Sequence, residues 1–299
     1  MARGRIVKAP EFRYLRPESV DEALHALMKD TDVIKVLAGG QSLLPVLNMR
    51  LAEPEILLDI SHIDELRGAA IDADGRCRYG ACLVHADFED GQVPDAAGGL
   101  LRTTAGGIGY RAIRNRGTIG GSLAHADPSA EWPVVMAALD ASVSTRSAGS
   151  QRAVACRELF EGFFSTALHE DEIITEVSVP ALPESASWGF RKFTRKAGEF
   201  AESIAVAVVT GDRREVCEAR VWLGGAGSTP ICLTAVEQAL ASGSNLAERD
   251  VLALVATDLA GTGAVTQDEY QVHLHGVTAW RAITDALAGR ASSNGPAGV

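Results

Sequence analysis

Two short glycine-rich stretches are the parts of this sequence whose residue types and spacing could do chemistry. The first reads VLAGGQSLLP at 36–45, and the second reads TIGGSLAHADP at 118–128. In each, a diglycine follows an apolar residue and is followed within two residues by a serine, Ser42 or Ser122. Successive backbone N–H groups in such loops can form nests for anionic oxygens, and two facing nests would suit a diphosphate. Two unrelated tight turns are the alternative that the pattern leaves open.

Polar side chains in and beside the second stretch could assist a ligand. His125 could contact it or could merely close a turn. Asp127 and Glu131 lie four residues apart at the start of an expected helix, where carboxylates complement the helix dipole. They could equally accept hydrogen bonds from the hydroxyls of a sugar or polyol. We expect Ser129 to cap this helix, in which the early Pro133 has no N–H to satisfy.

A cationic and aromatic stretch, RKFTRKAGEFA, occupies 191–201 just ahead of an expected strand. A solvated strand edge is the simplest interpretation. The functional alternative is an aromatic ring, such as that of Phe200, packed on a flat cofactor ring.

Other cofactor and catalytic motifs fit the sequence poorly. GIGYRA at 107–112 matches G-x-G-x-x-A, but no strand precedes it. GGSLA at 120–124 partly resembles a nucleophile elbow, but such an elbow follows a buried strand and no clear strand precedes this segment. His273 and His275 are two residues apart in an expected helix and would not share a face. The five cysteines contain no C-x-x-C pair, so we expect neither a zinc site nor an iron–sulfur cluster.

Strands and helices must hold these stretches in place, and their patterns divide the chain into three sections. In the first two sections the expected elements are helices at 19–28 (capped by Ser19), at 95–113 and after Ser129, and strands at 33–38, 56–60, 141–146 and 172–180. The third section begins after Pro180 and Pro183. It reads as three strands followed by helices near 232–242, 247–260 and 268–288. This order predicts an α+β fold with a separate C-terminal domain.

Charge and hydropathy narrow the possible partners. The net charge of −11 argues against nucleic acid, since an acidic surface repels phosphates. Apolar runs such as IAVAVV at 204–209 are far shorter than the roughly 20 residues that cross a bilayer. No secretory signal is recognisable at the N-terminus, and scattered free thiols are typical of a reducing compartment. We therefore expect a cytoplasmic protein without a transmembrane segment.

Two longer motifs that contain the diglycines indicate a resemblance to a known family. LAGGQSLLPVLNMRL and IRNRGTIGGSLAHADPSAEWP closely resemble the FAD-binding medium subunit of molybdenum-containing hydroxylases, the family of carbon monoxide dehydrogenase, quinoline oxidoreductase and the flavin portion of xanthine dehydrogenase. The likeness runs from FRYLRPESVDEAL to YQVHLHGVTAWRAI, which is nearly the whole chain. It implies an α+β fold in which two subdomains of the vanillyl-alcohol-oxidase type clamp FAD, followed by a C-terminal α+β domain of a three-stranded sheet and three helices. The expected boundaries are 1–61, 62–180 and 181–290, with 291–299 as a disordered tail.

The resemblance also implies which residues bind FAD. In relatives the two glycine loops hold the pyrophosphate and ribityl region, and positions matching Asp127 and Glu131 approach the cofactor. Phe200 matches an aromatic or aliphatic position near the isoalloxazine, in a segment that reads GEFA here and resembles GDYA in relatives. Lys192, or Arg191, is expected near the flavin edge. The expected FAD-binding residues are Ala38, Gly39, Gly40, Gln41, Ser42, Thr118, Ile119, Gly120, Gly121, Ser122, Asp127, Glu131, Lys192 and Phe200.

A division of labour between subunits follows from the same resemblance. A large molybdenum-cofactor subunit oxidises the substrate with water as the oxygen source, and a small subunit carries two [2Fe-2S] clusters. This chain would receive the electrons on FAD and deliver them to an acceptor, in a complex expected to be a dimer of heterotrimers. A stand-alone FAD-dependent oxidoreductase of the same fold is the alternative. Gln41 stands where we expect histidine in carbon monoxide dehydrogenases, which favours N-heteroaromatic substrates.

Overall fold

The computed structural model describes residues 8–28, 33–211, 216–244, 246–262 and 268–289. The expected disordered tail at 291–299 lies outside the described residues. Within these ranges the strands form a parallel three-stranded sheet, a five-stranded sheet, a four-stranded sheet and a two-stranded ribbon. The α+β class predicted from the sequence is confirmed.

The first section is a small parallel sheet with one covering helix. Its elements are β1 (Arg13–Leu15), α1 (Val20–Leu27), β2 (Ile34–Leu37), α2 (Leu43–Asn48) and β3 (Ile56–Asp59). The sheet order is β1-β3-β2, so β3 is the central strand and all four of its residues are buried. Ser19 caps α1 as predicted, because its hydroxyl accepts from the amide of Glu22 at 3.2 Å. The loop after β2 carries the first diglycine.

The second section surrounds a five-stranded antiparallel sheet of order β4-β5-β10-β6-β7. Its elements are a 3₁₀ turn (Asp64–Leu66), β4 (Ala69–Ile71), β5 (Cys77–Gly80), α3 (His85–Glu89), α4 (Leu100–Gly106), α5 (Arg111–Arg114), α6 (Ile119–His125), α7 (Glu131–Ala138), β6 (Ser142–Arg146), β7 (Gln151–Ala155), α8 (Cys156–Leu159), β8 (Phe160–Gly162), β9 (Ser165–Thr166) and β10 (Ile173–Val179). Helix α7 is buried over its whole length, which explains why its sequence shows no polar face.

The prediction of a single helix at 95–113 is wrong, because glycines separate two shorter helices in this segment. Helix α4 ends at Gly106 with Gly107 as its C-cap residue. Gly109 then has φ +49°, in the left-handed region where glycine is favoured, and α5 begins only at Arg111. The break places residues 107–110 of GIGYRA between two short helices and the last two residues in α5, which does not match the strand-to-helix setting of a dinucleotide fingerprint.

The expected cap of the next helix is also wrong. Ala130, rather than Ser129, is the N-cap residue of α7, and it makes no side-chain cap bond. The amide of Ser129 instead donates to Asp127 Oδ1 at 2.9 Å, which forms a turn before the helix starts. Pro133 does lie in the first turn of α7, where its missing N–H is harmless.

The third section is a four-stranded antiparallel sheet followed by three helices. Its elements are β11 (Ala186–Phe193), β12 (Ser203–Gly211), β13 (Val216–Gly224), β14 (Ile231–Cys232), α9 (Thr234–Ala241), α10 (Glu248–Gly261) and α11 (Glu269–Leu287). The three-stranded sheet predicted from the sequence lacks β14, which is only two residues long and pairs with β13. The three helices fall where the sequence placed them.

Strand β12 joins the third section to the second. Ile204, Val206 and Val208 point into the core that includes α7, whereas the alternate residues Ala205 and Ala207 belong to the core beneath α9, α10 and α11. Successive side chains on a strand point to opposite faces, so a strand covered on both sides must be apolar throughout. This accounts for the unbroken run IAVAVV. No helix in the described part of the chain is long and apolar enough to cross a membrane.

Candidate functional site

The first glycine loop connects β2 to α2 at the carboxyl end of the parallel sheet. Gly40 has φ +72°, a conformation that L-residues with a Cβ rarely adopt. Gly39 lies so close to the next loop that a Cβ built on it would fall 2.1 Å from the carbonyl oxygen of Arg116. Both positions therefore require glycine, one for backbone conformation and one for packing.

The amides of this loop are available for an anion. Those of Gly39, Gly40, Gln41 and Ser42 have no protein acceptor among the described residues. The side chain of Gln41 folds back, because its Nε2 donates to the carbonyl oxygen of Gly39 at 2.9 Å. Gly40, Gln41 and Ser42 are half-buried and lead into helix α2, where unpaired N–H groups are usual, so these donors are open to water or to an anion. The loop thus offers the free donors that a nest requires, and its binding of a diphosphate stays a prediction.

The second glycine stretch forms α6 and is built differently. Thr118 caps the helix, and its Oγ1 accepts from the amide of Gly121 at 3.0 Å. The amides of Ile119 and Gly120 donate to the carbonyl oxygens of Leu83 and Ala81 at 3.1 and 2.9 Å. These donors are all used within the protein, so the expectation of a second free-amide nest is wrong. A contribution of these residues to FAD binding through other groups stays a prediction.

The two stretches nevertheless lie side by side, although 81 residues separate their diglycines. A Cβ built on Gly121 would lie 3.5 Å from the Cβ of Ala38. A Cβ on Gly120 would fall 2.5 Å from the Cβ of Ala81, so Gly120 is a packing position. The 3.5 Å distance to Ala38 is an ordinary van der Waals contact, so the position at which close packing requires glycine is Gly120, against Ala81.

A buried histidine that the sequence did not single out supports this junction. The amide of His85 donates to the carbonyl oxygen of Gly117 at 2.9 Å, and Trp132 Nε1 donates to its Nδ1 at 3.0 Å. Burial lowers the pKa of His85 to about 3, so the ring is neutral and accepts the indole proton. A Cβ on Gly117 would fall 2.7 Å from His85 Nε2. No short motif marks His85, because its partners are far away in sequence.

An acid and a phenol also meet at the carboxyl end of the parallel sheet. The hydroxyl of Tyr14 donates to Asp59, the last residue of β3, whose other oxygen accepts from the amide of Ser61 at 2.9 Å. Burial raises the pKa of Asp59, but the hydrogen bonds from Ser61 and Tyr14 outweigh it and leave the pKa below its usual value. The carboxylate is therefore ionised, with both oxygens engaged, and does not face the nest as a free acceptor.

Glu131 and Lys192, both expected near FAD, form an ion pair with each other. Lys192 Nζ lies 2.5 Å from Glu131 Oε1 and 3.1 Å from the carbonyl oxygen of Gly107. Glu131 is only 5% exposed, and burial raises its pKa although Lys192 opposes the shift. The pair links the first residue of α7 to β11 and to the end of α4.

Asp127 lies between α6 and α7 and His125 lies at the end of α6, and each has a partner of its own. Asp127 holds the turn before α7 through Ser129. The ring of His125 lies 5.0 Å from the ring of Phe164, centroid to centroid, and closes the carboxyl end of α6 against the β8–β9 ribbon. A contact of His125 with a ligand stays a prediction.

Phe200 is 65% exposed, so it is not a core residue. It lies in the loop between β11 and β12, where Gly198 has φ +84°. A Cβ on Gly198 would fall 2.7 Å from the ring of Tyr110, which is itself exposed. Two aromatic rings that are largely open to solvent therefore lie at this loop, and a flat cofactor ring would cover them favourably.

The histidines of α11 do not form a metal site. His275 is buried and shares a 2.8 Å hydrogen bond with Ser203, whereas His273 is exposed. Across the described ranges, no group of three histidine, cysteine or acidic side chains is placed to hold a metal ion.

Comparison with known proteins agrees with this architecture. Residues 10–182 match the family described as FAD binding domain in molybdopterin dehydrogenase. The chain is 36% identical to the 6-hydroxypseudooxynicotine dehydrogenase complex subunit alpha of Paenarthrobacter nicotinovorans, over 92% of this chain and 91% of that protein. It is 39% identical to the nicotine 6-hydroxylase medium subunit of the same organism, over 74% and 76% of the two chains. A solved carbon monoxide dehydrogenase from Hydrogenophaga pseudoflava superposes with a TM-score of 0.87 at 32% identity, covering 95% of this chain and 100% of that chain.

The chain therefore belongs to the family of FAD-binding domains of molybdopterin dehydrogenases. It is an FAD-binding oxidoreductase subunit of the medium-subunit type, and its relatives work in multi-subunit molybdenum hydroxylases. The recognition made from the two glycine motifs is confirmed.

Proposed function

We propose that the loop Gly39–Ser42 binds the diphosphate of FAD through its backbone amides. The observation that carries this proposal is the run of four free N–H groups in a chain of an FAD-binding family. Gly40 supplies the left-handed turn that points successive amides the same way, as in other anion-binding nests. An anion with several oxygens satisfies such donors better than one acceptor can.

The second stretch supports this site by position. Helix α6 approaches the first loop at Ala38, and its own first amides are satisfied internally. Ser122 follows the diglycine and is half-buried, so its hydroxyl is the group of this stretch that remains for a ligand. We propose that Thr118, Ile119, Gly120 and Gly121 act by shaping the wall of the cleft, and that Ser122 donates to the cofactor.

The aromatic loop and the buried ion pair are proposed to serve the flavin end. Phe200 offers an apolar ring that would exclude water from one side of the isoalloxazine. Lys192 and Glu131 fix the distance between β11 and α7, and Asp127 holds the turn that precedes α7. FAD held by these residues would supply the redox chemistry of electron transfer to an acceptor. The protein binds, orients and shields it.

We propose further that the complex is a cytoplasmic dimer of heterotrimers with a large molybdenum-cofactor subunit and a small subunit carrying two [2Fe-2S] clusters. Both curated relatives reported above are named for nicotine-derived, nitrogen-containing compounds, and Gln41 favours the same substrate class. The substrate would bind on a partner subunit. A stand-alone FAD-dependent oxidoreductase is the second candidate, since the described part of this chain needs no partner to complete its nest.

Purification of the chain alone and with its partners tests these proposals. The isolated chain should be yellow and bind FAD, but should not oxidise nicotine-like or other organic substrates with an artificial acceptor. Copurification with a molybdenum subunit and a cluster subunit, with substrate oxidation only in the complex, would support the subunit role. Substrate turnover by the pure chain would favour the stand-alone enzyme, and a chain that binds no FAD would contradict both.

A further inference from the structure

The backbone of Arg116 packs against Gly39, the first residue of the nest. The carbonyl oxygen of Arg116 and the Cα of Gly117 line one side of Gly39, where a Cβ would fall 2.1 and 2.7 Å from them. Arg116 is exposed, so its long side chain is free to extend along the surface from this point. The backbone contact between Gly39 and Arg116 therefore places a cationic residue beside the free amides of the loop.

Arg116 differs from the two arginines that precede it. Arg111 pairs with Asp90 at 2.5 Å and with Glu89 at 2.9 Å, and Arg114 pairs with Glu89 at 2.6 Å. Within the part of the chain that the structure describes, Arg116 has neither an ion pair nor a side-chain hydrogen bond. Three arginines therefore share one short segment, and only the one beside the nest keeps its charge uncompensated.

The surroundings of Arg116 favour an anion. Asp59 at this end of the sheet keeps its negative charge, since both of its oxygens accept from neutral groups, the Tyr14 hydroxyl and the Ser61 amide, and nearby cations offset that charge. Arg116 and Arg16 act electrostatically on the Tyr14 hydroxyl and oppose the rise in its pKa that the bond to Asp59 causes, so both cations lie near the nest end of the sheet. A diphosphate placed on the nest would meet positive charge on the Arg116 side.

We propose that the guanidinium of Arg116 binds the diphosphate of FAD on the nest formed by Gly39–Ser42. This inference rests on the proposed function and adds a charged, side-chain component to a site otherwise made of neutral amides. Guanidinium groups match phosphate oxygens in geometry and form charge-assisted hydrogen bonds with them. Arg116 is accordingly a binding residue and takes no part in electron transfer.

Equilibrium binding of FAD to the isolated full-length chain tests the proposal. Arg116→Gln should weaken FAD binding roughly tenfold at about 0.01 M salt, the equivalent of about 1.4 kcal/mol. The loss should shrink at about 1 M salt, where screening acts over roughly 3 Å instead of roughly 30 Å. Arg116→Lys should recover part of the affinity, since it keeps the charge but loses the planar fork.

Arg111→Gln is the matched control, because it removes the same charge from the same segment but from a guanidinium held by Asp90 and Glu89. It should leave FAD affinity within about twofold of the parent, and the bound flavin spectrum should be unchanged in both variants. Equal affinity in Arg116→Gln and parent, or a loss that is independent of salt, would overturn the proposal. Failure of the parent chain to bind FAD would instead overturn the proposed function.

Discussion

Lys192 Nζ and Glu131 Oε1 lie 2.5 Å apart in an ion pair that is almost completely buried. The two residues are 61 positions apart and belong to different sections of the chain. Their bond, together with that from Lys192 to Gly107, ties β11, α7 and the end of α4 at one point. The sequence suggested that each residue approaches the cofactor, whereas the structure shows that each is first of all the partner of the other.

Removing one member of this pair should destabilise the protein strongly. Glu131→Gln leaves the Lys192 ammonium buried without a counter-charge, which we expect to lower the free energy of unfolding by about 3–5 kcal/mol. The double variant Glu131→Gln/Lys192→Met should lose less than the sum of the two single changes, because no unpaired charge remains. Urea denaturation of the four proteins measures this coupling, and additive losses would show that the pair is not energetically linked.

Gly40→Ala should weaken FAD binding. The new Cβ would meet the side chains of Leu37 and Leu44 at 3.0–3.2 Å, and the left-handed φ would cost about 1–2 kcal/mol. The loop would shift to relieve this strain, and its amides would no longer converge. Gly149→Ala is the control, because Gly149 is exposed and has open space at its Cβ position. Fluorescence titration with FAD compares the two, and equal affinities would argue against the nest.

Gly120→Ala should act on the fold before it acts on the cofactor. The added methyl group would overlap the Cβ and carbonyl oxygen of Ala81, at 2.5 and 2.7 Å, and overpacking of this kind costs about 1–3 kcal/mol. Gly106→Ala, in the last turn of α4 with open space around it, should be neutral or slightly stabilising. Thermal denaturation of the FAD-free proteins distinguishes them, and an unchanged midpoint for Gly120→Ala would contradict the packing role.

Phe200→Ala should hardly change the stability of the FAD-free chain, because the ring is 65% exposed. It should shift the absorbance or reduction potential of bound flavin, since water would reach the isoalloxazine, while FAD retention falls less than in Gly40→Ala. Phe200→Tyr keeps the ring and should be nearly silent. A flavin spectrum and a redox titration of both variants decide the matter, and no change in Phe200→Ala would place its ring away from the flavin.

Stability should fall in acid because of Glu172. Hydrogen bonds from Arg152, His169 and Thr145 hold the pKa of this carboxyl at about 2, against 4.5 for an ordinary glutamate. A lowered folded-state pKa stabilises the protein above pH 4.5, and the stabilisation is lost as the pH falls towards 2. Unfolding free energies measured across this window should decline more steeply in the parent than in Glu172→Gln. Parallel slopes would show that Glu172 does not govern the acid response.

Much of the local structure could be predicted from the sequence. Ser19 caps its helix, and the apolar runs at 33–38, 56–60 and 172–180 form strands, because capping and alternation are short-range properties. The helix expected at 95–113 begins only at Leu100 and ends at Gly106, and Gly109 with its left-handed φ separates it from α5. The cap expected at Ser129 failed because Ser129 lies in the turn held by Asp127, and α7 begins one residue later, after Ala130.

The sequence by itself determined the family, through two glycine motifs long enough to be specific, but their pattern left open whether each diglycine serves an anion or only makes a tight turn. Only the tertiary structure decided what surrounds each of them. Gly40 turns a loop with free amides, whereas Gly120 lets α6 pack against Ala81 with its own amides satisfied. The same dipeptide thus leaves backbone donors free in one place and permits close packing in the other, because the role of a glycine depends on which backbone lies against its missing Cβ. That contact, like those of Arg116 with Gly39 and Lys192 with Glu131, exists only once distant segments have been brought together.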